Sequence, residues 1–176
     1  MAKWTVDPDH SVAAFAVRHM MIAHVRGQFS RISGTIYFDP AQRNGASVDV
    51  TIDVASITTG IRKRDEHLLS GDFFDARQYP VITFKSSAVE FGDANRVRVA
   101  GDLTVHGITH AIAFEGEYFG PVRSPEGDET SIGFSATVVL RREDYGITWN
   151  VPMEDGGVVV GSEVRISLDL EADLAE

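Results

Sequence analysis

Apolar and polar residues alternate with a period of two through most of this chain. That regularity restricts it to folds whose strands turn one face to water and the other to a core. The cleanest run is 48–54, where Val48, Val50, Ile52 and Val54 are interleaved with Asp49, Thr51 and Asp53. The pattern recurs over 97–103, against Arg96, Arg98 and Asp102, and over 164–170, where Val164, Ile166 and Leu168 alternate with Arg165, Ser167 and Asp169. Further strands are predicted at 11–19, 27–38, 81–91, 109–119 and 131–142, each bounded by Gly, Pro, Asn or Asp. Eight strands result. Arg43-Asn44-Gly45, Asp93-Ala94-Asn95 and His106-Gly107 fall between runs, where short loops join antiparallel neighbours.

One stretch departs from this rhythm. Ile61, Leu68 and Leu69 stand at i, i+7 and i+8, a helical spacing, so a short helix is predicted over 61–69. Asp72 is placed to cap a further turn and Pro80 to end it, which makes residues 61–79 a helical insertion between strands. It serves either as a lid or plug beside a cavity or as a simple cover over a sheet edge or barrel end. A chain of 176 residues is the size of one domain, and eight strands with one insertion use nearly all of it. The fold class is therefore all-β, an antiparallel barrel or a two-sheet sandwich. The barrel is favoured because few strands read as edges, because one helix can close an end, and because Gly27, Gly34, Gly101 and Gly133 lie inside strand runs, where curvature requires them. An eight-stranded barrel is either filled by its own side chains or holds one small or elongated ligand.

Composition removes several classes of function. With no Cys there is no disulfide framework, thiolate metal site or cysteine nucleophile. The excess of 26 Asp+Glu over 16 Lys+Arg, a formal charge of −10, is the wrong sign for a phosphate backbone and for electrostatic docking on an anionic membrane. It does not oppose an apolar lipid held inside. No apolar run approaches the ~18 residues of a spanning helix. The opening MAKWTVDPDHS lacks an apolar signal-peptide core, so a cytoplasmic protein is expected.

Signatures of nucleotide-binding loops, nucleophile elbows and zinc-protease helices are absent. Of six histidines, His106 and His110 have a His-x3-His spacing that binds zinc only with a third ligand from elsewhere; ordinary hydrogen bonding is the plainer reading. His19 continues the inward series Phe15, Val17, and so meets either a polar partner in the core or the polar head of a ligand at the barrel mouth. The carboxylates mostly occupy outward strand positions or turns and form no acid/base pair. Arg62-Lys63-Arg64 is followed at once by Asp65 and Glu66, the pattern of a charged helix end. Ten phenylalanines, several in predicted strands, are enough to line a dry tunnel for an isoprenoid or acyl chain, although core packing uses the same residues.

Four blocks together resemble the YceI-like polyisoprenoid-binding proteins, lipid-binding proteins of lipocalin-like fold. The first comprises Trp4, Asp7, His10, Ser11, Phe15, Val17, His19 and Met20, with Val25, Gly27, Phe29, Gly34 and Ile36 after it. The second includes Ser56, Thr59-Gly60, Arg64-Asp65, His67-Leu68, Asp72-Phe73-Phe74 and Tyr79-Pro80, then Ile82 and Phe84-Lys85-Ser86. The third is Gly101-Asp102-Leu103-Thr104 with Gly107 and Thr109, and the fourth is Arg142 with Asp144-Tyr145-Gly146-Ile147, so the likeness spans about residues 4–170. The resemblance implies an eight-stranded antiparallel lipocalin-like barrel with a helical insertion, an elongated apolar cavity, a bound polyprenyl or isoprenoid-quinone chain, and a homodimer in some members. Many members are exported, whereas this chain opens directly on the first block. No catalytic residue, metal or cofactor is carried over.

The expected function is non-catalytic binding, sequestration or transport of an isoprenoid or similar lipid. The expected cavity lining is Phe15, Val17, His19, Phe29, Ile36, Phe38, Val50, Ile52, Phe84, Phe114 and Phe134, with Trp149 over one opening. Two alternatives are a metal-assisted enzyme built on His106 and His110 and a packed barrel whose surface binds other proteins.

Overall fold

The computed structural model describes residues 1–125, 127 and 129–175. Eleven strands form one antiparallel sheet: β1 (Ala2–Val6), β2 (Val12–His19), β3 (Ala23–Phe29), β4 (Ile32–Asp39), β5 (Gln42–Asp53), β6 (Ile57–Thr58), β7 (Val81–Phe91), β8 (Arg96–Val105), β9 (Ile108–Arg123), β10 (Thr130–Arg141) and β11 (Val160–Leu174). The ring runs β1-β4-β5-β7-β8-β9-β10-β11 and closes where Trp4 pairs with Leu174 and Val6 with Ala172. This is a closed eight-stranded barrel. Its hollow axis explains the period-two pattern, because one face of every strand is enclosed.

One strand changes partner along its length, and one predicted strand divides where the partner changes. β11 pairs with β2 from Val164↔Val17 to Asp169↔Val12, then with β1. The predicted strand 27–38 is in fact two strands, β3 on β2 and β4 on β1, interrupted at Ser30-Arg31. The break lies where the chain crosses from one partner to the other; the Asp53 N–H fills it by donating to the Arg31 carbonyl at 3.0 Å. β1 is not among the predicted strands because five residues with two inward side chains, Trp4 and Val6, make too short a pattern. On the side away from β2, among the described residues, β3 pairs only through Gln28↔Thr58 and Phe29↔Ile57, which leaves Ala23–Gly27 without a ladder there.

Close strand approach explains three of the four marked glycines. A Cβ on Gly27 would lie 2.5 Å from Phe15 Cζ, on Gly34 2.4 Å from the Asp49 carbonyl oxygen, and on Gly101 2.4 Å from that of Lys85. Gly133 is different, since its nearest neighbour would be at an ordinary 3.7 Å. The helix α1 (Arg62–Leu69) falls where helical spacing placed it, but Ile61 is its exposed cap residue, off the buried face that carries Leu68 and Leu69. Among the described residues, no helix is long and apolar enough to cross a membrane.

The core divides into two clusters. One end is closed by Trp4, Ile36, Phe38, Val97, Val99, Tyr118, Ile132 and Ala172. Trp4 Nε1 donates to the Phe38 carbonyl at 3.0 Å and the Tyr118 hydroxyl to the Gly120 carbonyl at 2.6 Å, so these rings are buried without unpaired polar atoms. The other cluster surrounds the middle of the barrel and includes Phe29, Ile32, Val50, Val54, Phe73, Val105 and Tyr145.

Candidate ligand cavity

Between the two clusters the barrel encloses a cavity of about 400 Å³. Its wall contains Phe15, Val17 and His19 from β2, Phe29 from β3, Ile36 from β4, Val50 and Ile52 from β5, Phe84 from β7, Phe114 from β9 and Phe134 from β10. Trp149 joins them from the segment before β11. Phe38 is the exception among the residues expected to line the cavity. Its side chain points inward as the alternation requires, but it is fully buried, 5.0 Å from the Phe91 ring and 5.1 Å from that of Tyr118, and forms part of the floor. Facing inward and facing open space differ once neighbouring strands supply large rings at the same depth.

The helical insertion covers part of the opposite end. Thr59 anchors its start: the backbone N–H and hydroxyl of Thr59 both donate to Asp65 Oδ1, at 2.8 and 2.6 Å. Arg64 Nε donates to the Thr59 hydroxyl at 2.7 Å and Nη2 to the Thr59 carbonyl at 3.0 Å. Ser70 ends the helix, its backbone N–H donating to the His67 carbonyl. Held in this way, the insertion presents Arg64, His67, Leu68, Phe73 and Phe74 to the cavity. The His67 ring stands edge-on to Phe73 and Trp149, with centroids at 5.0 and 4.8 Å, and its Nε2 lies 2.8 Å from Asp72 Oδ2. Phe74 meets Phe29 edge-on at 5.6 Å, and Phe29 lies 5.7 Å from Phe15, so aromatic lining continues from plug to wall. The insertion is thus part of the cavity. Helical periodicity marked Leu68; Phe73 and Phe74 follow the helix without any period and are marked only by the second sequence block.

Arg142 is a cation buried in the same wall. Its Nε donates to the Gly161 carbonyl at 2.8 Å, Nη1 to the carbonyls of Ile147 and Trp149 at 2.9 Å each, and Nη2 to that of Val160 at 3.3 Å. These bonds tie the segment carrying Trp149 to the start of β11. Burial lowers the Arg142 pKa, while Glu143, with Oε1 3.8 Å away, works in the opposite direction. Burial alone raises the Glu143 pKa, but the Ser162 hydroxyl and nearby cations outweigh it and hold the carboxyl below its usual range.

The fixed charges in the wall are guanidinium groups, with histidines, Ser135 and Tyr145 beside them. Arg18, His19, Arg64, His67 and Arg142 are present, and among the described residues no Asp or Glu lines it. His19 is half-buried at the lip and its ring makes no hydrogen bond among the described residues, so its position is that of the mouth rather than a satisfied core histidine. His106 and His110 lie outside the wall. Nδ1 of His106 is 3.1 Å from the Tyr145 carbonyl and Nε2 of His110 is 2.8 Å from that of Asp144, and among the described residues no third ligand groups with them. Asp7 and His10 instead brace the corner between β1 and β2, at 2.6 Å, with Glu171 nearby.

Comparisons with known proteins give these features a context. A family model described as the YceI-like domain matches residues 4–172. The UPF0312 protein SA2479 of Staphylococcus aureus is 33% identical over 176 residues, the whole of both chains. The crystal structure of Burkholderia cenocepacia BcnA superposes with a TM-score of 0.80 at 26% identity, covering 94% of this chain and 98% of that one. A polyisoprenoid binding domain from Saccharophagus degradans shares the fold, with a TM-score of 0.72 at 17% identity over 99% and 100% of the two chains. With its barrel, plug and sequence blocks matched over nearly their whole length, the chain belongs to the YceI-like family.

Proposed function

We propose that the barrel binds the apolar chain of an isoprenoid, a polyprenyl compound or an isoprenoid quinone, and carries or sequesters it without making or breaking a bond. The observation that carries this reading is the cavity itself, about 400 Å³ within a wall of aromatic and aliphatic side chains. That volume lies within the range of small-molecule sites. Each buried CH₂ contributes ~0.8 kcal/mol, so about ten carbons supply roughly 8 kcal/mol before the cost of ordering the chain. Among the described residues the wall offers no pair of carboxylates of the kind that glycoside hydrolysis uses. The polyisoprenoid binding domain from Saccharophagus degradans, a barrel of the same shape, supports this choice of ligand.

Native mass spectrometry of the purified protein, followed by organic extraction, tests the reading. A stoichiometric isoprenoid or quinone is expected, or uptake of one when it is added, together with loss of uptake in a folded Phe84→Asp variant. Repeated failure to take up added polyprenyl compounds would overturn it and leave the barrel as a protein-interaction module.

A further inference from the structure

The β2–β3 hairpin turns through His19-Met20-Met21-Ile22, with the Ile22 N–H donating to the His19 carbonyl at 3.1 Å. Met20 and Met21 have φ angles of 50° and 62°, so both central residues occupy the left-handed region. Hairpins of this geometry prefer Asn-Gly there, and large side chains are disfavoured. Local strain of this kind persists where the side chains have a task. Here they face water: Met21 is 54% and Ile22 81% exposed, the latter being the most exposed large apolar side chain among the described residues.

A second apolar tip lies alongside. The Met20 N–H donates to the Val159 carbonyl at 2.8 Å, and the Val159 N–H to that of Val151 at 3.1 Å, so the 151–159 segment borders the turn. Val151 and Val158 are exposed on it. The cavity wall reaches the same lip through Val17, Val25, Trp149 and Val159. Apolar surface therefore passes from the interior of the barrel onto the two tips.

We infer that this lip is a membrane-docking surface, with Met20, Met21, Ile22, Val151 and Val158 entering the outer apolar layer of a bilayer and holding the cavity mouth against it. The inference rests on the cavity being a lipid site. A bilayer fits the tips because the apolar cavity wall opens beside them through Val17, Val25, Trp149 and Val159, giving a lipid chain a continuous apolar path from the bilayer into the barrel. Charge decides which bilayer. Arg18, His19, His24 and Arg26 flank the first tip, Glu154 and Asp155 sit on the second, and the whole chain carries −10, so anionic lipid exerts no net attraction. Apolar insertion has to supply the affinity, and a neutral phosphatidylcholine surface is the appropriate one.

Flotation with phosphatidylcholine vesicles tests this. The protein is expected to float with the vesicles equally at low and high salt, and the double substitution Met21→Asp with Ile22→Asp to lower the floating fraction more than tenfold. The same variant is expected to take up a polyprenyl alcohol supplied in detergent, measured by native mass spectrometry. Uptake without flotation in the unsubstituted protein overturns the docking inference alone; absence of uptake by the unsubstituted protein counts against the cavity reading. A second variant, Met20→Asn with Met21→Gly, supplies the residues the turn prefers, so its Tm is expected to rise by a few degrees while flotation falls. Unchanged flotation in that variant, or a concentration-dependent dimer abolished by Ile22→Asp in protein that does not float, would overturn the inference.

Discussion

At the closed end of the barrel, Phe38 is covered by Phe91 and Tyr118 at 5.0 and 5.1 Å, and Trp4 packs in the same cluster. Against the inner side of that cluster, Phe84 and Phe114 meet at a similar 5.6 Å, yet they also line the cavity. Both layers are built from inward-facing strand positions, so their difference comes from what the remaining strands supply at each depth. The floor receives large rings from several strands. The middle layer includes Ala13, Gly116 and Ala136 in its wall, residues too small to reach the axis. A barrel becomes a container where small residues break the layer of large ones.

Ring deletion should separate the two regions most strongly. Phe38→Ala is expected to lose ~3–5 kcal/mol in urea unfolding. Phe114→Ala should lose only about 1–2 kcal/mol, because a ring beside a void already lacks contacts on one side. Equal losses would show the middle layer to be as solid as the floor. Arg142→Met comes next, with about 3 kcal/mol lost by leaving buried carbonyls without their donor and with faster ligand release as the Trp149 segment loosens.

Ring insertion reverses the contrast. Ala136→Phe grows into the cavity and should change stability by less than about 1 kcal/mol while lowering lipid uptake more than tenfold. Ile132→Phe, in the floor, should cost ~1–3 kcal/mol and leave uptake intact in the folded protein.

The smallest expected effect lies away from both regions, at the Asp7–His10 corner. The hydrogen bond to Asp7 raises the His10 pKa above its ordinary 6.5, and the bond to His10 lowers that of Asp7 below 3.8. The contribution from His10 is therefore complete below the ordinary histidine range and lost as pH rises through its raised value. That from Asp7 is present above the ordinary carboxylate range and lost as pH falls through its lowered value. Amide exchange at Asp7–Ser11, corrected for intrinsic rates, should be slowest between those two limits, and His10→Ala should flatten the profile.

Much of this architecture is legible in the sequence because a barrel strand declares its inner face residue by residue. Val48, Val50 and Ile52 need no tertiary information to be placed inward. Depth along the axis is not legible, since it depends on register between strands distant in sequence; this is why Phe38 belongs to the floor and Phe84 to the wall. The division of 27–38 into two strands is hidden for the same reason, because the exchange of partners is a property of β1, β2 and β11 together. The plug lies beyond periodicity altogether. Phe73 and Phe74 follow a short helix in a series of turns, where no repeat distinguishes a ring that packs from one that faces solvent.

The seam between β1 and β11 also governs how the molecule comes into being. The other junctions of the ring span at most a few tens of residues, and several of them are hairpins. Trp4↔Leu174 joins the first strand to the last. β1 can pair with β4 early, but its other edge stays open until β11 is available, as does the edge of β2 that takes Val164–Asp169, and long-range pairings of this kind slow folding. Until then the interior is an open trough, accessible along its full length, and a long apolar chain laid into it at that stage would be enclosed without having to thread the mouth.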